Sequence, residues 1–256
     1  LKTPTPIIDV PQSLSIFTAE QFGKQGFDSI RDVVDYTPGV TTSQGEAHRD
    51  SVVFRGVRST ADFYVDGVRD DVQYYRSLYN VEQVEFLRGP NALLFGRGGT
   101  GGIINRVTKK ALLDSSFNDY QFSVESFGAS RAQIDSNVAL TEASAFRINA
   151  FYESLKNHLD HYEGDRIGVN PTLKLNLTED TTLDLSYEYH DYDRFIDRGI
   201  PTGTDGKPVE DFEDVFFGDK DQNNAEFAAH VLRAALQHRF SESLKIAHDF
   251  IFSFCI

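Results

Sequence analysis

The feature that most constrains the fold is an alternation of apolar and polar residues, which runs from about residue 117 to residue 254. Tyr120, Phe122 and Val124 open the pattern, with a polar residue between each pair. Successive side chains of a β-strand point to opposite faces, so this period of two predicts about seven amphipathic strands. Each is close to the ~10 residues that a tilted strand needs to cross a bilayer.

The connections between these predicted strands alternate in length. Residues 141–144, 178–181 and 241–243 form short turns, whereas 155–165 and 191–225 form long, charged loops. Outer-membrane barrels have short turns on one side and long loops on the other. A soluble β-sandwich or a solenoid with one polar face would alternate equally well. Strand length and turn asymmetry favour antiparallel transmembrane β-barrel strands.

Residues 1–112 follow a different pattern, in which short helices mix with short strands. Thr18 stands three residues before Gln21, which is the spacing of a helix capping box. The segment "FDSIRDVVDYTPG" places apolar residues on one helical face before proline and glycine end it. Asp66 and Gly67 lie between β-prone segments and predict a hairpin. We therefore predict an α+β domain at 1–112 and the first part of a barrel at 113–256.

Composition excludes several classes of protein. A formal net charge of −14 argues against nucleic acid as a partner, because that partner requires a basic face. One cysteine, Cys255, leaves no disulfide framework and no cysteine-based zinc site. No apolar run approaches the ~20 residues of a transmembrane helix. The chain contains no Met and runs from Leu1 to an apolar "FIFSFCI", so we expect it to be a piece of a longer protein.

The glycine-rich stretch "FGRGGTGGIINRVTKK" raises the question of a nucleotide site. Gly96, Gly98 and Gly101 have the G-x-G-x-x-G spacing of a dinucleotide-binding turn. That turn requires a helix after the glycines, and the β-branched residues that come next predict a strand. This pattern disfavours a nucleotide-dependent soluble enzyme. We find no other catalytic motif, and the pair His158 and His161 is a poor metal site, so we predict no enzyme and no metal centre.

Several segments resemble the TonB-dependent outer-membrane receptors, most closely those for iron-siderophore complexes. They are "PQSLSIFTAEQF", "IRDVVDYTPGV", "VVFRGVR", "DFYVDGVRDD" and "YNVEQVEFLRGPNALLFGRGGTGGIINRVTKK". The resemblance implies a plug domain inside a barrel of about 22 strands, of which this chain supplies about seven. A passive porin-like channel is the alternative, but a porin has no plug before its strands.

The same resemblance implies a location, partners and a cargo. The protein would reside in the outer membrane of a Gram-negative bacterium and contact its lipid. It would bind a ferric siderophore and move it past the plug with energy from the inner-membrane TonB complex. The segment that TonB grips is expected before Leu1. Iron would be cargo, so no cofactor is expected.

The resemblance also implies roles for individual residues. The segments "DFYVDGVRDD" and "YYRSLYN" are similar to those of the branch that handles catecholate siderophores. Outward plug loops would bind the anionic, flat-faced chelate through guanidinium and aromatic groups. Solvated loop residues remain the alternative for each of them. The predicted ligand contacts are Arg49, Tyr74, Tyr75 and Arg76.

Two further sets of residues have structural roles by resemblance. Arg55 and Arg88 match family arginines that lock the plug to barrel glutamates, which we expect beyond Ile256. Structural glycines allow tight turns and close backbone approach. They are Gly89, Gly96, Gly98, Gly101 and Gly102.

Overall fold

The computed structural model describes residues 13–43, 49–59, 62–72, 74–89, 95, 101–212 and 215–255. The chain separates into two compact units, Leu1–Lys109 and Lys110–Ile256. Within the described ranges, no helix is both long and apolar enough to cross a membrane.

In the part of the first unit that the structure describes, two short helices combine with two small sheets. The elements are β1 Ser13–Thr18, α1 Ala19–Gln25, α2 Ile30–Asp35, β2 Val40–Thr42, β3 Val52–Phe54, β4 Val57–Ser59, β5 Phe63–Val65, β6 Val68–Arg69, β7 Val81–Arg88 and β8 Gly102–Thr108. A five-stranded sheet has the order β1-β7-β8-β5-β6, and a three-stranded sheet has the order β2-β3-β4.

Local sequence signals explain both helices. The backbone N–H of Thr18 donates to Gln21 Oε1 at 2.9 Å, which completes the predicted capping box of α1. The second helix, α2, presents Ile30, Val33 and Val34 to the core of this unit, where all three are fully buried. Burial of such side chains contributes about 1.5–3 kcal/mol each relative to exposure. The predicted helical face is therefore confirmed.

The strands around the glycine-rich stretch decide the nucleotide question. Asp66 and Gly67 form the turn between β5 and β6, which pair as the predicted hairpin. After Gly101 the chain enters strand β8, which lies parallel to β5 and antiparallel to β7. The chain after Gly102 is therefore a strand, as the β-branched residues predicted, and not a helix whose N-terminus could hold a pyrophosphate.

Among its described residues, the second unit is one antiparallel sheet of seven strands, each paired with its neighbours in the sequence. Their bounds are β9 Phe117–Val124, β10 Ser130–Thr141, β11 Ser144–Lys156, β12 Glu163–Thr178, β13 Thr181–Phe195, β14 Asn224–Arg239 and β15 Lys245–Cys255. The three predicted short turns connect strands on the same side of this sheet. The predicted up-and-down arrangement is confirmed.

Several strands are longer than the apolar alternation predicted. β12 has 16 residues and β13 has 15, and both extend into segments that we expected to be loops. The extensions carry many charged residues, for example Asp165, which pairs with Ser154 of β11 and Asp193 of β13, so the apolar alternation does not continue through them. Backbone pairing continues here because a ladder requires only N–H and C=O groups, whatever the side chains.

On this sheet the apolar face is exposed and the polar face is buried, which is the opposite of a soluble protein. Phe122 and Phe252 on the apolar face are 74% and 58% exposed, whereas Asn137, Asn149 and Asn170 on the opposite face are fully buried. Ion pairs also lie on the polar face. They include Arg147 with Asp135, joined by two contacts of 2.7 Å, Arg233 with Glu188, and Arg166 with Glu153. A soluble sandwich buries its apolar face, so this arrangement contradicts that alternative and is typical of strands that face lipid.

Candidate functional site

The two predicted ligand loops are joined by hydrogen bonds around Asp50. The backbone N–H of Arg76 donates to Asp50 Oδ2 at 2.9 Å, and the backbone N–H of Asp50 donates to the carbonyl of Tyr74 at 3.2 Å. These bonds tie the residue after Arg49 to the segment that contains Tyr74 and Tyr75. Asp50 therefore holds the two segments together.

The side chain of Arg76 lies beside Asp50 and is only 1% exposed. Its Nε donates to Asp70 Oδ2 at 2.9 Å, and its Nη1 lies 3.6 Å from Asp50 Oδ2. The guanidinium carbon is 3.9 Å from the centroid of the Phe63 ring, a cation–π distance. Arg76 is thus held by charge, hydrogen bonds and an aromatic face.

Arg106 completes the group from strand β8. Its Nη2 donates to Asp70 Oδ2 at 2.8 Å and to the Tyr74 hydroxyl at 3.0 Å. We call Asp50, Asp70, Arg76 and Arg106 the buried charge cluster; it holds two acids and two bases. Burial raises the pKa of Asp50 above its usual value of 3.8, although Arg76 and Arg106 act in the opposite direction.

The structure corrects part of the predicted ligand site. Tyr74 and Arg76 were expected to face solvent, and this orientation is wrong, because both are buried. Two acids that the sequence did not place beside them, Asp50 and Asp70, account for the difference. Arg49 and Tyr75 are only half-buried, as contacts with an external ligand require. The ligand role of all four residues stays a prediction.

Arg88, predicted to lock the plug, is buried against neutral groups. Its guanidinium donates to Ser15 Oγ at 2.6 Å and to the carbonyl of Pro38. Among the residues that the structure describes, no carboxylate lies within ion-pair distance of it. Burial, and then the positive charge of exposed Arg55, lowers the pKa of Arg88 below its usual value. A negative partner would therefore stabilise this pair of arginines.

Two of the described glycines, Gly101 and Gly102, allow close packing, and a third, Gly89, allows a turn. A Cβ atom on Gly101 would lie 2.7 Å from Phe54 Cβ, and one on Gly102 would lie 2.7 Å from the carbonyl oxygen of Leu87. Gly89 has φ of +96°, in the region that favours glycine. Gly96 and Gly98 lie outside the described residues. The close approach agrees with a structural role for the described glycines.

Comparison with known proteins identifies the first unit. Residues 6–103 match the family described as the TonB-dependent receptor plug domain. These residues form a TonB-dependent receptor plug domain. The chain is 31% identical over 212 residues to the probable TonB-dependent receptor BfrD of Bordetella pertussis. The aligned region spans 79% of this chain and 28% of that protein. It is also 31% identical to the ferrioxamine B receptor of Salmonella typhimurium, over 78% of this chain and 30% of that receptor.

A solved structure is similar to this chain across both units. The siderophore receptor PiuA from Acinetobacter baumannii superposes with a TM-score of 0.91 at 25% identity. The superposition covers 97% of this chain and 37% of that receptor. The fold is therefore a plug domain followed by part of an antiparallel β-barrel, and these receptors are outer-membrane proteins of Gram-negative bacteria. The chain spans about a third of the length of the relatives that it matches.

Proposed function

We propose that the intact receptor binds a ferric siderophore at the cell surface and imports it with energy from the TonB complex. The observation that carries this proposal is the combination of a plug domain with a sheet whose apolar face is exposed and whose polar face is buried. Relatives named as receptors for siderophores support the choice of ligand. The assignment of 1–112 to the plug and 113–256 to the barrel is part of the same proposal.

Transport of this kind requires no covalent chemistry in the receptor. The family consists of transporters rather than enzymes, and we infer that this chain also catalyses no reaction and holds no cofactor. Iron enters as cargo within its chelate. Outer-membrane lipid and the TonB complex are the proposed partners, and nucleic acid is not among them.

The proposed ligand site consists of Arg49, Tyr74, Tyr75 and Arg76. Arg49 and Tyr75 are its accessible members, and the buried Tyr74 and Arg76 hold them in place. Arg49 precedes Asp50, whose side chain accepts from the Arg76 backbone, and Tyr75 lies between Tyr74 and Arg76. A guanidinium suits an anionic chelate, and an aromatic ring suits its flat face. That the receptor belongs to the catecholate-type branch stays a prediction. Because one relative is named as a ferrioxamine B receptor, uptake should be tested with ferrioxamine B as well as with a ferric catecholate.

Arg55 and Arg88 form the proposed lock between plug and barrel. Their mutual repulsion and the burial of Arg88 favour a carboxylate partner. We propose that this partner comes from glutamates of the barrel beyond Ile256.

Uptake measurements test the proposal. Cells that express the intact receptor, with TonB either functional or deleted, receive radiolabelled ferric catecholate or ferrioxamine B. We expect at least one chelate to enter only when TonB functions. Equal uptake without TonB would favour a passive channel, and no uptake of any chelate would contradict the ligand class.

A single substitution tests the ligand contact. Arg49→Ala should weaken binding of the transported chelate by roughly tenfold or more, because a charge-assisted contact contributes about 1.5–3 kcal/mol. Arg31→Ala, an exposed arginine on helix α2, is the matched control and should bind normally. Equal affinity of the two variants for the chelate would remove Arg49 from the site.

A further inference from the structure

The loop that carries Tyr74 and Tyr75 has a shape that side chains determine. Residues 70–76 lie between strands β6 and β7, and their described members form no helix or strand. The guanidinium of Arg76 donates to the carbonyls of Val72 and Tyr74, the second at 3.2 Å. Arg76 therefore supplies bonds that a ladder or a helix would otherwise make, and the loop is built around it.

Arg106 ties this loop to the sheet. It lies in strand β8 and pairs with Val65 of β5 on one side and with Val84 of β7 on the other, so its backbone is fixed on both edges. Its side chain is buried, and Nη2 donates to Asp70 Oδ2 at 2.8 Å and to the Tyr74 hydroxyl at 3.0 Å. A fixed point of the sheet thus holds the loop at two places.

The bond to the Tyr74 hydroxyl restricts the residue that follows. Tyr74 is held at its ring tip by Arg106 and at its carbonyl by the backbone N–H of Asp50, at 3.2 Å. The next peptide begins at that carbonyl, so the backbone of Tyr75 starts from a fixed point. On the other side, the backbone N–H of Arg76 donates to Asp50 Oδ2. The half-buried Tyr75 therefore lies between two residues that are anchored by both backbone and side chain.

Charge balance alone does not account for this arrangement. Asp70 Oδ2 also accepts from Nε of Arg76 at 2.9 Å, and the Tyr74 hydroxyl is neutral, so its bond to Arg106 neutralises no charge. Binding loses affinity for each loop or side chain that the ligand must first order. A loop that the sheet already holds avoids that loss. The bond to the hydroxyl is therefore the contact through which β8 affects ligand binding.

We propose that Arg106 is a positioning residue of the siderophore site, which acts through the Tyr74 hydroxyl and holds Tyr75 ready for the flat face of the chelate. It does not contact the chelate itself. This role rests on the proposed function, because it requires a ferric siderophore at the plug loops. It extends the site to strand β8, which follows the glycine-rich stretch.

Removal of one oxygen atom tests this role. Tyr74→Phe keeps the ring and removes only the hydroxyl to which Arg106 donates. Equilibrium binding to the intact receptor on whole cells is measured with radiolabelled ferric catecholate or ferrioxamine B, whichever chelate is imported. We expect the affinity to fall by about three- to tenfold, the effect of leaving one side chain for the ligand to order. Tyr64→Phe, at a buried tyrosine of strand β5, is the matched control and should bind normally.

A double-mutant cycle separates positioning from a general loss of stability. Tyr75→Ala should weaken binding by itself, and Tyr74→Phe should then have no further effect, because the ring that is positioned is absent. A merely structural hydroxyl would change the affinity by the same factor in both backgrounds. Equal factors, or an unchanged affinity in Tyr74→Phe, would overturn the proposal.

A second cycle tests the donor. Arg106→Met removes the guanidinium and keeps an apolar stem, and the addition of Tyr74→Phe should not weaken binding further. Independent losses in the two variants would overturn the role of Arg106. If Arg106→Met does not reach the cell surface, the cycle with Tyr75 decides alone. TonB-dependent import together with normal binding by Tyr75→Ala would overturn the positioning role and leave the proposed function standing.

Discussion

At the scale of single residues, the buried charge cluster is the feature whose removal should cost most. Arg76→Ala leaves Asp50 and Asp70 without their shared partner inside the plug, and loss of one partner of a buried pair costs about 3–5 kcal/mol. Arg69→Ala breaks only an exposed pair with Asp71 and should cost about 0–1 kcal/mol. Hydrogen exchange of plug peptides in the intact receptor measures both. Equal opening free energies in the two variants would show that the cluster is not stabilising.

Asp50 should also make plug stability depend on pH. Its pKa is raised in the folded state, so the folded plug binds the proton more tightly than the unfolded plug. The contribution is fully present below pH 3.8 and declines as pH rises through the raised pKa. Asp50→Asn removes this dependence, so the difference in opening free energy between wild type and variant should fall as pH rises and then level off. A difference in opening free energy that does not change with pH would contradict this role of Asp50.

At the scale of elements, close packing around β8 should tolerate no added atom. Gly102→Ala would place its Cβ 2.7 Å from the Leu87 carbonyl oxygen and 2.8 Å from the Phe54 ring, and such overpacking costs about 1–3 kcal/mol. Gly23→Ala is the matched control in helix α1, where nothing lies within 4 Å of the added atom. It should stabilise the plug by about 0.5–1 kcal/mol. Hydrogen exchange at β7 and β8 distinguishes them, and equal protection would refute the packing argument.

Local rules predicted most elements and failed where partners are distant in sequence. The capping box at Thr18, the turn at Asp66 and the strand after Gly101 depend on neighbouring residues, and the sequence contains those signals. The burial of Arg76 depends on Asp50, 26 residues earlier, and on Asp70, which Arg106 of strand β8 also contacts. No periodicity in the sequence predicts contacts between residues that are so far apart. The sequence does show charged residues beside the short strands, which indicates that ion pairs could form there. It does not specify which of these charges pair.

At the scale of the whole molecule, the proposed function depends on which face of the sheet contacts lipid. Alternation alone identified two faces but left open which one is buried. The structure decides this through the exposure of apolar side chains and the burial of asparagines and ion pairs on the other face. The adjacent alanines Ala234 and Ala235 in β14 occupy opposite faces, because they pair with Leu185 and Asp184 of β13.

Spin labels at these two alanines test which face contacts lipid. The intact receptor in lipid vesicles, with Cys255→Ser as background, is labelled at Ala234→Cys or at Ala235→Cys. Electron paramagnetic resonance then measures contact of each label with oxygen, which concentrates in hydrocarbon, and with a water-soluble nickel chelate. We predict that the label at 234 has high contact with oxygen and low contact with the nickel chelate. The label at 235 should have low contact with oxygen, because it does not face hydrocarbon. The reverse pattern, or equal accessibility of the two labels, would contradict a lipid-facing apolar surface.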